Sequence, residues 1–367
     1  MKIGLYSPFM QDNVGGGERY LLTVAECLLK KPDIVVDLFV QESDRQKRVV
    51  LKDKYSRIFN LDLERLNVIS GPFGNHGSLW QRWQVTSKYD AFYYMTDGSF
   101  FLSGSKRSIL HFMIPFKQPL GGWFNLLKLR LWPIKVANSF FTKFQVEKNW
   151  GIKFDFVHWG AVNLDDFKPL KKENIILNVA RFFTSSGNKH CKRQDVMVRV
   201  FKRLCDTGLK DWQLVLVGTI DNGKDNLEYA NQITKMIENY PIKIIHEINF
   251  KDLASYYGRA KIYWHATGFN LDEDERPEAM EHLGLSTVEA MAAGAVPVVI
   301  NKAGQKEIVT EDKDGLLWEA ETELIEKTLS VIENQELQLR LAAAAQKRAI
   351  VFSKDNFCKK TSEIFGL

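Results

Sequence analysis

The sequence predicts an α/β protein of two domains, each organised on an open parallel sheet. Three observations predict it. Short β-branched or aromatic runs alternate with amphipathic helical stretches along the chain, the pattern of successive βα units. The alternation runs twice, interrupted by the polar, proline-containing stretch from Asp165 to Lys172. At 367 residues the chain is long for one core and comfortable for two.

Lys2 to Pro8 reads as the first strand, and the spacing of Tyr20, Leu21, Val24, Ala25 and Leu28 predicts a helix behind it. Gly15, Gly16 and Gly17 join the two, either as a plain tight turn or as one that lets backbone approach a diphosphate. A dinucleotide fingerprint fits poorly, because Tyr20 stands where close helix packing needs a small residue. IVVDLFV, NVISG, AFYYMTD, SILHFMIP and KVANS supply further strands. Ligands of such sheets bind beyond the carboxyl ends of the strands, which makes Asp97 and His111 candidates; for His111, packing is the competing reading. Residues 117–148 hold six Lys and Arg against one acid, Glu147, interleaved with Trp123, Phe124 and Trp132. That is either core helix with a charged edge or a stretch suited to an anionic bilayer surface.

A second series begins with NIILNVARF. Arg181 follows its strand, and Lys192 precedes a helix whose Val196, Val200, Phe201 and Leu204 share one face, so the two cations either converge on one anion, with Lys189 as a substitute for the second, or are ordinary solvated surface cations. Five acids between Asp272 and Glu278 lack cation-loop spacing and read as a solvated loop; whether 269–280 forms a mobile lid is left open by the sequence. His265 and His282 flank the next stretch, either as packing residues or as supports behind the site side chains. There, in EHLGLSTVEAMAAGAVPVVI, Ser286 is expected to cap a short helix that Gly294 and Pro297 end, before a buried strand from Val296 to Ile300. The helix start offers unpaired N–H groups to a phosphate, with Glu281 and Glu289 beside it as acceptors for hydroxyls. The same Ser286-x-x-Glu289 spacing equally fits a capping box in which Glu289 only bonds back to backbone.

Composition narrows the class. No secretory leader opens the sequence and no run of about 20 apolar residues spans a bilayer, so a cytoplasmic protein is expected. The four cysteines, Cys27, Cys191, Cys205 and Cys358, lack metal or redox spacing and read as reduced packing residues. The net charge of +5 is uneven: through Asp165, 22 Lys and Arg against 15 Asp and Glu give +7, leaving 28 minus 30, or −2, for the rest. A basic first half favours an anionic partner, and without a nucleic-acid motif nucleic acid is the weaker choice.

Glu281, seven residues, then Glu289 and AMAAGAVPVV resemble the signature of retaining, nucleotide-sugar-dependent GT-B glycosyltransferases of the family-four, glycosyl transferases group 1 type. The resemblance implies two Rossmann-like domains facing a deep cleft: 1–165 for the acceptor, 166–350 for the donor, and 351–367 as a helix returning to the first. It implies that Glu281 meets the donor sugar, Glu289 the ribose, and Leu283, Gly284, Leu285 and Ser286 the sugar and diphosphate. Arg181 and Lys192 would neutralise the diphosphate, Gly16 and Gly17 would lie near it, and His111 would face the transferred sugar. Asp97 and Glu18 would sit on the acceptor side. The implied reaction moves a hexose from a GDP- or UDP-sugar to a glycan or lipid-linked acceptor, with neither cofactor nor metal, at the cytoplasmic face of a membrane touched through 117–148. The alternatives are a nucleotide-sugar epimerase of the same architecture and a non-catalytic nucleotide-sugar-binding subunit.

Overall fold

The computed structural model describes residues 1–10, 15–74, 77–120, 123–184 and 191–367. The chain forms two compact units, Met1–Ala161 with Asp355–Leu367, and Val162–Lys354, with junctions a few residues from those read in the sequence. Each is a Rossmann-like layer of parallel strands between helices.

The first unit runs β1 (Lys2–Tyr6), α1 (Gly16–Leu29), β2 (Val35–Val40), α2 (Arg45–Phe59), β3 (Asn67–Ser70), α3 (Leu79–Thr86), β4 (Ala91–Thr96), β5 (Arg107–Phe112), α4 (Trp123–Lys128), β6 (Ile134–Ala137), α5 (Phe140–Trp150) and β7 (Phe156–Val157). The strands lie in the order β3-β2-β1-β4-β5-β6-β7, so the direction of winding reverses between β1 and β4. Period-two alternation sorts the side chains. Ile3, Leu5, Tyr93 and Ile109 face Leu21, Val24 and Leu28 of α1, while Tyr6, Phe92, Tyr94 and Phe112 face an aromatic layer with Trp132 and Trp150. The aromatic side is close enough that a Cβ on Gly4 would stand 2.6 Å from the Phe92 ring.

The second unit runs β8 (Glu173–Val179), α6 (Gln194–Asp206), β9 (Gln213–Val217), α7 (Lys224–Met236), β10 (Ile242–Ile245), α8 (Phe250–Arg259), β11 (Ala260–His265), α9 (Leu285–Ala292), β12 (Val296–Ile300), α10 (Gln305–Ile308), β13 (Leu316–Trp318), α11 (Glu321–Glu333) and α12 (Gln335–Ala349). Its strand order is β10-β9-β8-β11-β12-β13. The predicted stripe of α6, Val196, Val200, Phe201 and Leu204, is buried with Ile176, Leu214 and Trp264.

The last helix, α13 (Lys354–Phe365), belongs to the first unit, where Phe357, Ile364 and Phe365 enter the α1 side of the core and Arg107 Nε donates to the Ile364 carbonyl at 3.0 Å. This packing corrects one expectation. Cys27 on α1 and Cys358 on α13 are joined as a disulfide with Cα atoms 5.1 Å apart, and only Cys191 and Cys205 are free thiols. Two cysteines 331 positions apart give no sequence cue to pairing; the return of α13 onto α1 creates it.

Candidate active site

The turn before α9 is held by α8, β11 and the loop after β12. Gly284 is the N-cap, with φ +98° and ψ 62°, a left-handed conformation that suits glycine. Ser286 is therefore inside the helix and is not its cap, contrary to expectation. Its Oγ accepts from the Tyr263 hydroxyl at 2.7 Å, and Glu289 Oε2 accepts from the Tyr257 hydroxyl at 2.9 Å, so the capping-box alternative is not formed. Leu285 and Ser286 keep their N–H groups at the helix start without an acceptor among the described residues, at the positive end of the dipole.

A neighbouring loop fixes this turn. Gly304 N donates to Glu281 O at 2.9 Å, and a Cβ on Gly304 would lie 2.4 Å from Leu283 Cα. The fully buried Gln305 accepts from Thr287 Oγ1 at 2.8 Å and donates to Leu283 O at 3.3 Å. Sequence reading missed Gln305, Tyr257 and Tyr263, which bear no local motif and reach the turn only through the fold.

Glu281 Oε2 receives Lys192 Nζ at 2.5 Å and faces His265 Nε2 at 3.1 Å. Both partners of the ion pair are largely buried, with side chains 13% and 16% exposed. Thr267 Oγ1 lies 3.3 Å from the same His265 nitrogen. His265 thus supports the Glu281 carboxylate from behind, one of the two roles expected of it, while burial pushes its own pKa down against the opposing pull of Glu281. Burial likewise lowers His282, whose Nε2 lies 3.3 Å from Glu278 O.

Arg181 does not join Lys192 on one anion. Its guanidinium pairs with both Asp221 oxygens at 3.1 Å, because the turn after β9 brings that carboxylate alongside, and the side chain remains half exposed. Lys189 lies outside the described residues. The 269–280 stretch is not a free flap: Phe269, Pro277, Ala279 and Met280 are buried, and Glu273 accepts from Ala303 N and pairs with Lys306 at 2.9 Å. Apolar anchors at both ends and a salt bridge between them hold the acidic loop down. Among the described residues no three His, Cys, Asp or Glu side chains gather as a cation site.

In the first unit, His111 is fully buried on β5. It points to the α1 side with Ile109, its Nδ1 meets the Tyr93 hydroxyl, its ring edges onto Tyr20 with centroids 4.6 Å apart, and Nε2 has no partner among the described residues. Burial holds its pKa well below the ordinary value. Strand alternation turns the ring into the core, so this structure does not present it to a sugar. Asp97 closes the turn after β4, accepting from the Tyr94 hydroxyl at 3.1 Å, Ser99 N at 3.0 Å and Ser99 Oγ at 2.6 Å. Glu18 is buried, and a Cβ on Gly15 would meet its Oε2 at 2.9 Å. Gly16, by contrast, is open, and a Cβ there would meet nothing.

Two parallel-sheet units, with a glycine-capped helix and paired carboxylates in the second, define a protein of the GT-B class. The chain belongs to the glycosyl transferases group 1 family, whose pattern matches residues 163–348. It is similar to a solved glycosyltransferase from Rickettsia africae, 18% identical with a TM-score of 0.75 over 99% of this chain and 97% of that one. It is also similar to HepE of Anabaena in complex with UDP, 17% identical with a TM-score of 0.74 over 99% of both chains. At these identities the likeness is one of fold. Among curated proteins it is 31% identical over 169 residues to the human GDP-Man:Man(3)GlcNAc(2)-PP-Dol alpha-1,2-mannosyltransferase, a match covering 42% of this chain and 32% of that protein.

Proposed function

We propose that the chain is a retaining hexosyltransferase that draws on a GDP- or UDP-sugar and delivers the sugar to a glycan or lipid-linked acceptor without a metal. The observation that carries this reading is the cluster Lys192, Glu281 and His265 beside the glycine-capped start of α9, with Glu289 one helical turn on. A departing diphosphate gains negative charge, and the lysine and the two unpaired amides of Leu285 and Ser286 are the groups here that stabilise it. Glu281 accepts from donor-sugar hydroxyls and Glu289 from the ribose. The acceptor hydroxyl bonds to the anomeric carbon on the face from which the diphosphate departs, the bond to the phosphate oxygen breaking as it does and that oxygen taking the hydroxyl's proton late, which gives retention. Arg181 assists by leaving Asp221 for the diphosphate. The human mannosyltransferase relative, named for a dolichol-linked acceptor, supports the lipid-linked choice and GDP as first donor to try.

The test combines thermal-shift titration of GDP, UDP and ADP with transfer from the stabilising nucleotide's sugars to membrane extract. Product anomer by NMR reads retention, and assay in chelator reads metal independence. Glu281→Ala is expected to lower transfer by about 10²-fold or more, and Glu289→Ala to weaken nucleotide binding about 10-fold while sparing turnover. Normal behaviour of both variants would reject the assignment. Donor turnover that needs no acceptor would favour the epimerase, and binding without turnover the non-catalytic subunit.

A further inference from the structure

We propose that Arg193 is a positioning residue for sugar transfer: its left-handed backbone aims Lys192 at Glu281, and its guanidinium fixes the start of the segment that ends at Glu281. The proposal rests on the transferase reading and reaches a side chain outside the predicted site.

Arg193 is the N-cap of α6, with φ +56° and ψ 41°, and its side chain does not cap the helix. For a residue with a Cβ that left-handed conformation costs about 1–2 kcal/mol, whereas glycine adopts it freely. Backbone held this way against its preference points to function, and here the side chain supplies what offsets the cost. Nε and Nη2 donate to the two Asp195 oxygens at 3.0 and 3.1 Å, and Nη1 donates to the Phe269 carbonyl at 2.8 Å. The guanidinium carbon lies over the Phe269 ring, 5.4 Å from its centroid, and that ring packs against Trp318. The arginine therefore grips the first residue of the acidic loop through both backbone and ring.

Three consecutive side chains fan out from this turn. Lys192 reaches Glu281, at one end of 269–281, and Arg193 reaches Phe269 at the other. Gln194, fully buried, donates to the carbonyls of Ala180 and Arg181 at 3.4 and 3.2 Å. The start of α6 thus joins the residue after β8 to both ends of the segment that delivers Glu281. Arg181, Lys192 and Glu281, the groups proposed to meet the diphosphate and the sugar, are placed relative to one another by a single turn. Lys192 alone would not fix it, because an ammonium on a flexible four-carbon stem sets no orientation; a planar fork bonded to Asp195 and Phe269 does. Misplacing such groups by about 1 Å costs on the order of 100-fold in rate.

The experiment sets Arg193→Gly and Arg193→Lys beside the wild-type chain, with Arg203→Gln as the control, an arginine farther along α6 that donates to Glu321 at 2.9 Å. Glycine keeps the left-handed turn and removes only the guanidinium. Arg193→Gly should therefore melt within a few degrees of wild type, while kcat for donor turnover in membrane extract falls about 10- to 100-fold and the donor KM changes less than about 3-fold. Arg193→Lys should fall between the two, since an ammonium cannot span both partners as the fork does, and it carries the same comparison if the glycine variant does not fold. Arg203→Gln should keep the wild-type kcat. Amides of 269–281 should exchange with deuterium about 10-fold faster in Arg193→Gly, and those of β9 at the wild-type rate. A wild-type kcat in both Arg193 variants, a loss matched by Arg203→Gln, a change in KM alone, or unchanged exchange at 269–281 would overturn the proposal. Exchange reads the clamp without activity, and nucleotide-induced stabilisation of the wild-type chain reads the transferase assignment without Arg193 variants, so the two failures are told apart.

Discussion

Lys192 Nζ stands 2.5 Å from Glu281 Oε2, the oxygen that His265 Nε2 also approaches, at 3.1 Å. One side chain precedes α6 and the other precedes α9, so this ion pair, between residues 89 apart in sequence, ties together two helix starts. Removing the lysine alone leaves a largely buried carboxylate without its cation, which in such settings costs about 3–5 kcal/mol. Lys192→Ala should therefore destabilise the second unit and abolish transfer. Lys192→Met with Glu281→Leu should restore most of the stability and none of the activity. Urea titrations beside donor-turnover assays separate the two; a double variant as unstable as the single would show that the pair is not the source.

Gly304 backs the turn before α9 from the far side. Any Cβ there meets backbone, Leu283 Cα at 2.4 Å and His282 O at 2.6 Å, and backbone cannot rotate aside as a side-chain end can. Gly304→Ala should push the 282–284 segment outward, costing about 1–3 kcal/mol and weakening nucleotide binding more than it slows turnover. Calorimetric titration of GDP and UDP into the variant checks this, and an unchanged affinity would mean that the turn tolerates the shift.

Four histidines make the fold acid-sensitive. His158 is buried between Tyr20 and the Phe357 carbonyl and is pushed down to about 3, while burial also lowers His111, His265 and His282 below the ordinary 6.5. His158 is neutral when folded and takes up a proton on unfolding, so its contribution is complete above 6.5 and is lost as pH falls to about 3; the other three shift in the same direction and lose theirs in the same sense. The cost is about 1.4 kcal/mol per pH unit for each such group. Denaturant unfolding followed from about pH 7.5 to 5 should show stability falling with acid, and His158→Gln should flatten the slope by close to one proton.

Much of this was legible in the sequence, for physical reasons that also mark its limits. The α6 stripe and the run from Val296 to Ile300 follow from period and β-branching, which local residues decide. Leu285, Ser286 and Glu289 could be singled out because one short helix carries them, and Glu281 and Lys192 because each shortly precedes a helix. The start of α9 was misplaced by two residues because Gly284 supplies its own left-handed cap and Tyr263, from β11, takes the serine hydroxyl. His111 was misjudged because its strand position reads as a terminus, whereas alternation directs its ring beneath Tyr20. Asp221, Gln305 and Tyr257 act across long separations, where no spacing announces them.

The pairing of Cys27 with Cys358 bears on both stability and compartment. It closes a loop of 331 residues and fastens α13 to α1, so its removal is expected to cost about 2–5 kcal/mol, chiefly by freeing the unfolded chain. Reducing compartments disfavour such bonds, and the expected cytoplasmic location stands against it. Thiol titration of the denatured, unreduced protein settles the state: two reactive groups, Cys191 and Cys205, indicate the bond, and four indicate reduced cysteines. Where the bond is present, Cys358→Ser should lower the melting temperature of the first unit while leaving nucleotide-induced stabilisation in place, since the turn proposed to bind the nucleotide sugar lies in the second. If reductant leaves melting unchanged in a preparation with two thiols, the burial of Phe357, Ile364 and Phe365 holds α13 by itself, and the disulfide adds nothing to the fold.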